Sequence, residues 1–368
     1  MAIIMDITGK ITGIKYNIFL KENLRNIDIK NFNINECPAS CLIEDDNIIF
    51  AISKWVSPKR TRSYPYQRVY DTLNFPKKII VIPIIKDEGF DGDRDFLQWD
   101  TVSLMSLLDV FVIFAYYNNA VKNPNYNNKI TGFQFDNKYV ISKIKEIKQY
   151  HSSALHWNLN ELKNNLYNIV KKSKKCYENI EKQTKVTLHN QKGIDNFKAK
   201  ISGDVSTFME FSREKSKEAQ SREIITIQPK ENLSTLTKAK ITITNYLGGQ
   251  YFFTIDETLI YNDKISLIEC KYSKQNILPS NGDIKDGLLK MILYSNISEV
   301  KINNSKIKSE AILDLTSPKI VGKICSNNNN VSTFFEKNRF TVSQQQMIKT
   351  LFNEANENNF IIKIGKSK

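Results

Sequence analysis

The chain has 368 residues, of which 41% are apolar and 25% are charged. These fractions are close to globular averages and exclude a wholly disordered protein, and the length predicts two domains. The net charge of +14 at pH 7 excludes an acidic protein and favours a polyanionic partner, either nucleic acid or an acidic membrane surface. AT-rich coding, which enriches lysine, is the alternative explanation of this charge.

The cysteines and the first residues indicate the compartment. Five cysteines are scattered along the chain, and the opening stretch MAIIMDITGKITG lacks the features of a secretory signal. We therefore expect a reducing, cytoplasmic location. Cys37 and Cys41 lie close together, but no second pair follows at zinc-site spacing.

One apolar stretch, TVSLMSLLDVFVIFAYY at residues 101–117, raises the question of a membrane span. It is near the lower length limit for a span, and Asp109 lies in its middle. We predict a single buried helix in the core of a soluble domain, and no membrane association.

Basic and aromatic residues alternate in the segment KWVSPKRTRSYPYQRVY at residues 54–70. Two interpretations are open. The cations contact DNA bases or phosphates, or the tyrosines and the tryptophan are core anchors with solvated basic neighbours. On the first interpretation the predicted DNA contacts are Lys59, Arg60, Arg62 and Arg68.

A soft boundary near residue 200 divides the predicted elements. Residues 1–200 read as a mixed, helix-rich domain, to which we assign DNA recognition and dimer contacts. Residues 201–368 begin with a charged helix at 205–222, followed by three strands, a helix, a strand, and a further helix and strand. This order predicts a mixed α/β fold.

The stretch TIDETLIYNDKISLIECKYSK, residues 254–274, reads as two strands joined by a two-residue turn at Asn262 and Asp263. That turn places Asp256 directly opposite Glu269, with their Cβ atoms roughly 5 Å apart. Lys271 lies two residues further on and therefore on the same face. Ile268 and Cys270 occupy the other face, so we expect this strand to be central in its sheet.

Two opposed carboxylates destabilise a sheet unless a cation neutralises them. Mg²⁺ takes one or two carboxylates together with waters and phosphate oxygens, and a neighbouring lysine can orient or deprotonate the attacking water. The residues thus predict metal-assisted phosphodiester hydrolysis. The alternative is an ordinary polar hairpin face, because an E-x-K tripeptide is common.

At these residues the chain resembles the PD-(D/E)xK nuclease superfamily. "TIDE" matches the first acidic motif and "IECK" the second, and residues 201–320 match the αβββαβ core of the superfamily. One departure is Ile255, where the family often has proline. Within the superfamily the chain looks most like a type II restriction endonuclease, a homodimeric component of restriction-modification systems.

The resemblance implies a role for each matching residue. Asp256 and Glu269 bind Mg²⁺ with the backbone carbonyl of Cys270, and Lys271 assists the water. Glu210, on the preceding helix, is a candidate for an additional site residue. The resemblance also implies a homodimer that cuts double-stranded DNA to leave 5′-phosphate ends, with a cognate methyltransferase encoded nearby.

Two other functions remain open at the level of the sequence. One is a repair or structure-specific nuclease of the same superfamily. The other is a non-catalytic DNA-binding protein that keeps a degenerate nuclease fold.

Overall fold

A computed structural model describes residues 5–46, 48–58, 66–201, 205–224, 238–328 and 331–367, and these residues form a mixed α/β protein. The strands are β1 (Asp6–Ile11), β2 (Asn26–Asp28), β3 (Ser40–Asp45), β4 (Ile48–Lys54), β5 (Lys77–Pro83), β6 (Ile85–Asp87), β7 (Arg94–Phe96), β8 (Phe111–Ala115), β9 (Tyr117–Lys122), β10 (Ile130–Phe135), β11 (Ala239–Asn245), β12 (Gln250–Ile255), β13 (Glu257–Tyr261), β14 (Lys264–Tyr272), β15 (Ser298–Ile302), β16 (Ser305–Lys306), β17 (Lys308–Ser317), β18 (Lys323–Cys325) and β19 (Ile361–Lys366). The helices are α1 (Gln67–Tyr70), α2 (Trp99–Leu107), α3 (Asn137–Lys148), α4 (Ala154–Asn164), α5 (Leu166–Thr184), α6 (Lys192–Ile201), α7 (Val205–Ile224), α8 (Asn281–Ser295), α9 (Val331–Asn338) and α10 (Val342–Glu357). Across these ranges no helix combines the length and the apolarity needed to cross a membrane.

The chain divides into two compact units, and the division differs from the predicted boundary near residue 200. One unit comprises Asn23–Tyr64 and Asp71–Arg213; the other comprises Met1–Glu22, Pro65–Tyr70 and Glu214–Lys368. Residues 1–22 belong to the second unit, with Glu214–Lys368, because β1 pairs in parallel with β11, more than 200 residues later in the chain. We call the second unit the hairpin unit, since it contains residues 254–274.

The other unit is built on a five-stranded sheet in the order β2-β3-β4-β5-β8. Its strands are rich in isoleucine, valine and phenylalanine, which favours buried strands. Apolar residues of α3 and α4, including Val140, Ile144 and Trp157, join the sheet in one hydrophobic cluster. Trp55, at the end of β4, is also fully buried.

The prediction of one buried helix over residues 101–117 is wrong beyond Leu107. The helix α2 ends there, Asp109 adopts a positive φ of 56°, and the chain continues as the buried strand β8. A continuous apolar run does not distinguish a buried helix from a buried strand, because both are covered on all sides. Here residues 111–115 form a strand because β8 pairs with β5.

The hairpin unit contains two five-stranded sheets, ordered β12-β11-β1-β15-β16 and β13-β14-β17-β19-β18. The strands β12 and β13 are consecutive in sequence but belong to different sheets, and Asp256 forms the bend between them. The first strand of the predicted hairpin, residues 254–261, therefore divides at Asp256 between β12 and β13. The bend places Asp256 at the point where the chain leaves one sheet and enters the other.

Helix α8 connects the parallel neighbours β14 and β17 and packs against both. Ser280 caps its amino terminus, with its hydroxyl oxygen accepting the N–H of Asp283. Most of its side chains are buried, as expected for a crossover helix that covers a sheet.

Candidate active site

The hairpin of residues 257–268 has the predicted register. Glu257 faces Ile268 and Tyr261 faces Lys264, around a turn in which Asn262 has a φ of 54°. Asparagine tolerates this left-handed conformation better than most residues. The prediction that the second strand is central is also confirmed, since β14 lies between β13 and β17.

Asp256 lies one residue beyond the paired part of β13 and is almost fully buried. Its Oδ2 accepts the backbone N–H of Cys270 at 2.9 Å. The carboxylate therefore extends the hairpin by standing in for a backbone acceptor. This bond holds Asp256 beside the strand that carries Glu269 and Lys271.

The two faces of β14 differ as its alternation predicts. Ile268 and Cys270 pack against Ile312 and Ile361 in a small hydrophobic cluster. Glu269 and Lys271 occupy the opposite face, where the Glu269 carboxylate meets Lys290 of α8. The charged face is consequently covered by a helix and is not a solvated surface.

Glu269 lies between two lysines. Its Oε1 is 2.9 Å from Nζ of Lys271, and its Oε2 accepts a hydrogen bond of 2.7 Å from Nζ of Lys290. The glutamate side chain is 1% exposed and the two lysine side chains 18% and 17%. Burial opposes ionisation of Glu269, but the two ammonium groups outweigh it and lower the pKa of Glu269 to about 2.

Lys271 pairs with Glu269 and also feels the charge of Asp256. Burial and the nearby Lys290 lower the pKa of Lys271, whereas Glu269 and Asp256 raise it, and the net effect is a raised pKa. The ammonium thus responds to both carboxylates. Together Asp256, Glu269, Lys271 and Lys290 form a buried cluster, which we call the Glu269 cluster, and their formal charges cancel.

Gly287 allows α8 to approach this cluster. A methyl group at Gly287 would lie 2.6 Å from Cδ1 of Leu313 and 3.4 Å from Cε of Lys271. The neighbouring residue Asp286 accepts the backbone N–H of Gln67 at 2.8 Å. Burial raises the pKa of Asp286 to about 6, although the hydrogen bond from Gln67 and the charge of Lys271 act in the opposite direction.

The donors of the site are of the kind that Mg²⁺ prefers, namely carboxylate and carbonyl oxygens. The N–H of Cys270 faces Asp256, and since the N–H and C=O of one strand residue face the same side, its carbonyl does so as well. Over the ranges that the structure describes, no group of three or more His, Cys, Asp or Glu residues could hold a metal ion. A divalent cation here would therefore depend on two carboxylates, a carbonyl and water or phosphate oxygens.

The structure also changes one premise of the sequence argument. Two carboxylates in this hairpin do not require a metal for neutrality, because Lys271 and Lys290 already supply two positive charges. Both oxygens of Glu269 are engaged by these lysines. The residues fit Mg²⁺ in chemical type, provided that Glu269 is first released from one ammonium group.

Other predicted site residues lie elsewhere. Glu210 is exposed on α7 and belongs to the unit that does not contain the hairpin. Lys59, Arg60 and Arg62 lie outside the described residues, and Arg68 is half-buried in α1. The assignment of these four cations to DNA therefore stays a prediction.

The aromatic residues of the same segment are core residues wherever the structure describes them. Trp55, Tyr66 and Tyr70 are all buried, and the hydroxyl of Tyr70 donates to Glu354. These positions agree with the interpretation of the aromatics as core anchors.

Sequence reasoning missed Lys290 and Asp286, both on α8. The signal for Lys290 was present, because it interrupts the apolar run GLLKMIL in a helix that follows the E-x-K tripeptide. A charged residue inside such a run requires a partner. The partner itself, Glu269, is 21 residues away and could not be identified without the packing of α8 on β14.

Comparison of the chain with protein-family models, with curated proteins and with solved structures gave no match. The geometry and chemistry of the Glu269 cluster are therefore the features that indicate a function for this chain.

Proposed function

We propose that the chain is a Mg²⁺-dependent endonuclease of the type II restriction kind, which hydrolyses phosphodiester bonds of double-stranded DNA and leaves 5′-phosphate ends. The observation that carries the proposal is the convergence of Asp256, Glu269 and Lys271 in one buried cluster at the end of a hairpin. Buried ionisable groups that converge from separate strands are enriched at functional sites. The strongly basic chain suits a DNA substrate.

The order of elements supports the same proposal. Helix α7, strand β11, the bent strand β12–β13, strand β14, helix α8 and strand β17 follow one another in the αβββαβ order of the PD-(D/E)xK core. The small strands β15 and β16 are inserted between α8 and β17. In this proposal the two acidic motifs lie on the bend before β13 and on β14.

The proposed chemistry divides the tasks among the residues of the cluster. Asp256, Glu269 and the carbonyl of Cys270 would hold Mg²⁺, which supplies a Lewis acid and a more acidic bound water. Lys271, paired with Glu269, orients the attacking water and offsets negative charge that develops on the phosphate. The hydrogen bond from Cys270 positions Asp256 before substrate binds.

Cleavage of both strands suits a homodimer, and the proposal includes one, together with a cognate methyltransferase that protects the host DNA. The oligomeric state is measurable by light scattering on the purified full-length chain. A dimer with one functional cluster per subunit is the expected result.

A second function is favoured by one observation. The lysines around Glu269 satisfy both of its oxygens without a metal. A non-catalytic DNA-binding protein with a degenerate nuclease site would have this arrangement permanently, and it would bind DNA in a salt-dependent manner without cutting it.

Incubation of the protein with a mapped plasmid, in Mg²⁺ and in EDTA, decides between these functions. Discrete fragments with 5′-phosphate ends that form only in Mg²⁺ are the expected result. Cleavage confined to branched or damaged DNA indicates a repair nuclease instead. Tight binding without cleavage in either Mg²⁺ or Mn²⁺ indicates the non-catalytic protein.

Substitution then tests the site assignment. Lys271→Ala and Asp256→Ala should each reduce cleavage by at least about 100-fold, the scale of a lost electrostatic or acid–base contribution, while DNA binding persists. Lys308→Ala is the matched control, since Lys308 is an exposed lysine at the start of β17. Parental cleavage by Lys271→Ala would show that the site lies elsewhere.

A further inference from the structure

Lys290 contacts one carboxylate oxygen of Glu269, the residue that would bind the metal in the proposed function. Its ammonium group donates to Oε2 of Glu269 at 2.7 Å, while Lys271 takes Oε1 at 2.9 Å. Each oxygen of this carboxylate thus faces one ammonium group. A metal ion that binds Glu269 directly is repelled by both ammonium groups, and replacement of one of them relieves part of that repulsion.

The two lysines that contact Glu269 differ in the element that carries them and in their expected role. Lys271 belongs to the same strand as Glu269, and its pKa also responds to the charge of Asp256. Lys290 reaches Glu269 from α8, an element that is not part of the hairpin. In the proposed function Lys271 stays beside the attacking water, so Lys290 is the ammonium group that the metal ion replaces.

We propose that Lys290 is a positioning residue that competes with the catalytic metal for Glu269, so that metal binding displaces the Lys290 ammonium. In the metal-free protein Lys290 orients the Glu269 carboxylate through this charge-assisted hydrogen bond. A divalent cation that binds Glu269 takes the place of the Lys290 ammonium. One positive charge is then replaced by two, so the net charge of the cluster rises. This inference rests on the proposed function, because it assigns the metal of that function to Glu269.

The competition has a measurable consequence for metal affinity. A charge-assisted hydrogen bond contributes about 1.5–3 kcal/mol to stability. A variant whose metal-free state lacks this bond should therefore bind the metal roughly tenfold or more tightly than the wild type. Removal of Lys290 thus strengthens metal binding even as it weakens the metal-free fold. A lysine with a purely structural role would weaken the fold without changing the metal affinity.

The experiment is a titration of the full-length protein with Mn²⁺, followed by the electron paramagnetic resonance signal of the free ion. Lys290→Met, which keeps most of the apolar stem, should bind Mn²⁺ at least about tenfold more tightly than the wild type. Lys290→Arg, which keeps the charge, should bind like the wild type. Unchanged or weaker binding by Lys290→Met overturns the inference.

Two controls separate competition from a general change in charge. Lys285→Met removes a buried lysine of the same helix whose partner is Glu22, at 2.6 Å, and it should leave Mn²⁺ affinity unchanged. In a Glu269→Gln background, Lys290→Met should no longer strengthen Mn²⁺ binding, because the contested oxygen has lost its charge. An equal gain in both backgrounds contradicts the inference.

A stability measurement keeps the test decisive if one variant folds poorly. Urea unfolding in EDTA and in Mn²⁺ should show that Mn²⁺ stabilises Lys290→Gln more than it stabilises the wild type, since ligand binding to the native state raises its stability according to affinity. Equal stabilisation of both proteins counts against competition.

Failure of this inference is distinguishable from failure of the proposed function. If the wild type binds Mn²⁺ and cuts DNA but Lys290→Met binds Mn²⁺ no more tightly, only the inference is rejected. If Lys290→Met binds more tightly but neither protein cuts DNA, the inference stands and the nuclease function is rejected. If no variant binds Mn²⁺, both are rejected.

Discussion

Glu269 and Glu354 are two glutamates of the hairpin unit that are equally buried but held in opposite ways. Glu269 lies between the ammonium groups of two lysines, which lower its pKa. Glu354, on α10, accepts hydrogen bonds from the hydroxyls of Tyr16 and Tyr70 and from backbone N–H groups of the amino-terminal segment. Burial raises the pKa of Glu354 despite these bonds.

The difference separates a candidate site from a structural anchor. Neutral donors satisfy the oxygens of Glu354 and fasten residues 16–20 to α10. Cations satisfy Glu269, and a cation can be exchanged for a metal ion of higher charge. Burial of a carboxylate alone is therefore a weak indication of function, whereas the charge of its partners is a stronger one.

The largest expected effect is the loss of the carboxylate at Glu269. Glu269→Gln leaves the ammonium groups of Lys271 and Lys290 close together with no anion between them. Breaking a buried ion pair in this way costs about 3–5 kcal/mol of unfolding free energy, measured by urea unfolding in EDTA. Asp263→Asn, an exposed partner of Lys308, is the control and should change stability little. A loss under about 1 kcal/mol for Glu269→Gln would mean that the lysines relax into solvent.

An intermediate effect is expected from acid titration of the metal-free protein. Because folding lowers the pKa of Glu269 to about 2, its stabilising contribution is present above about pH 4.3 and disappears as the pH falls toward 2. The difference in stability between the wild type and Glu269→Gln should therefore shrink by on the order of 2 kcal/mol between pH 5 and pH 3.

The contribution of Glu354 to stability should depend on pH in the opposite direction, so Glu354 serves as the internal comparison for Glu269. Its pKa is raised on folding, so its contribution is present at acid pH and disappears as the pH rises through the raised value. Unfolding curves of both glutamine variants at several pH values test the contrast. Parallel pH profiles for the two variants would contradict the assignment of different partners.

The smallest effect is expected for Glu354→Gln at pH 7. The amide oxygen can accept from the N–H groups of Phe19 and Leu20, while the amide NH₂ donates to the tyrosine hydroxyls, which rotate to accept. Removal of a buried charge offsets part of the lost hydrogen-bond strength, so we expect a loss of about 1 kcal/mol or less. Urea unfolding beside Glu269→Gln measures it, and a loss as large as that of Glu269→Gln would remove the distinction drawn here.

Local patterns in the sequence were sufficient for much of the hairpin unit. The turn at Asn262 and Asp263 determines the register of the hairpin, and alternation assigns Glu269 and Ile268 to opposite faces. The helices α7 and α8 and the strands β14 and β17 were also predicted, because each has a clear period and clear boundaries. These features depend on contacts between residues that are near in sequence.

The remaining features depend on contacts between distant residues. The apolar run at 101–117 became α2 and β8 through pairing with β5, and β1 joined β11 across most of the chain. Asp256 lies outside the paired residues of the hairpin, and its carboxylate accepts the N–H of Cys270. None of these partners is marked by spacing in the sequence.

The sequence by itself determined that Glu269 and Lys271 share one face of a central strand, because a two-residue turn and a period of two leave no other arrangement. Only the tertiary structure decided what covers that face. Packing of α8, permitted by the absence of a side chain at Gly287, brings Lys290 to Glu269 and makes the cluster electrically neutral without a metal. The charge balance of a buried site depends on all of its neighbours in space, and a one-dimensional pattern specifies only some of them.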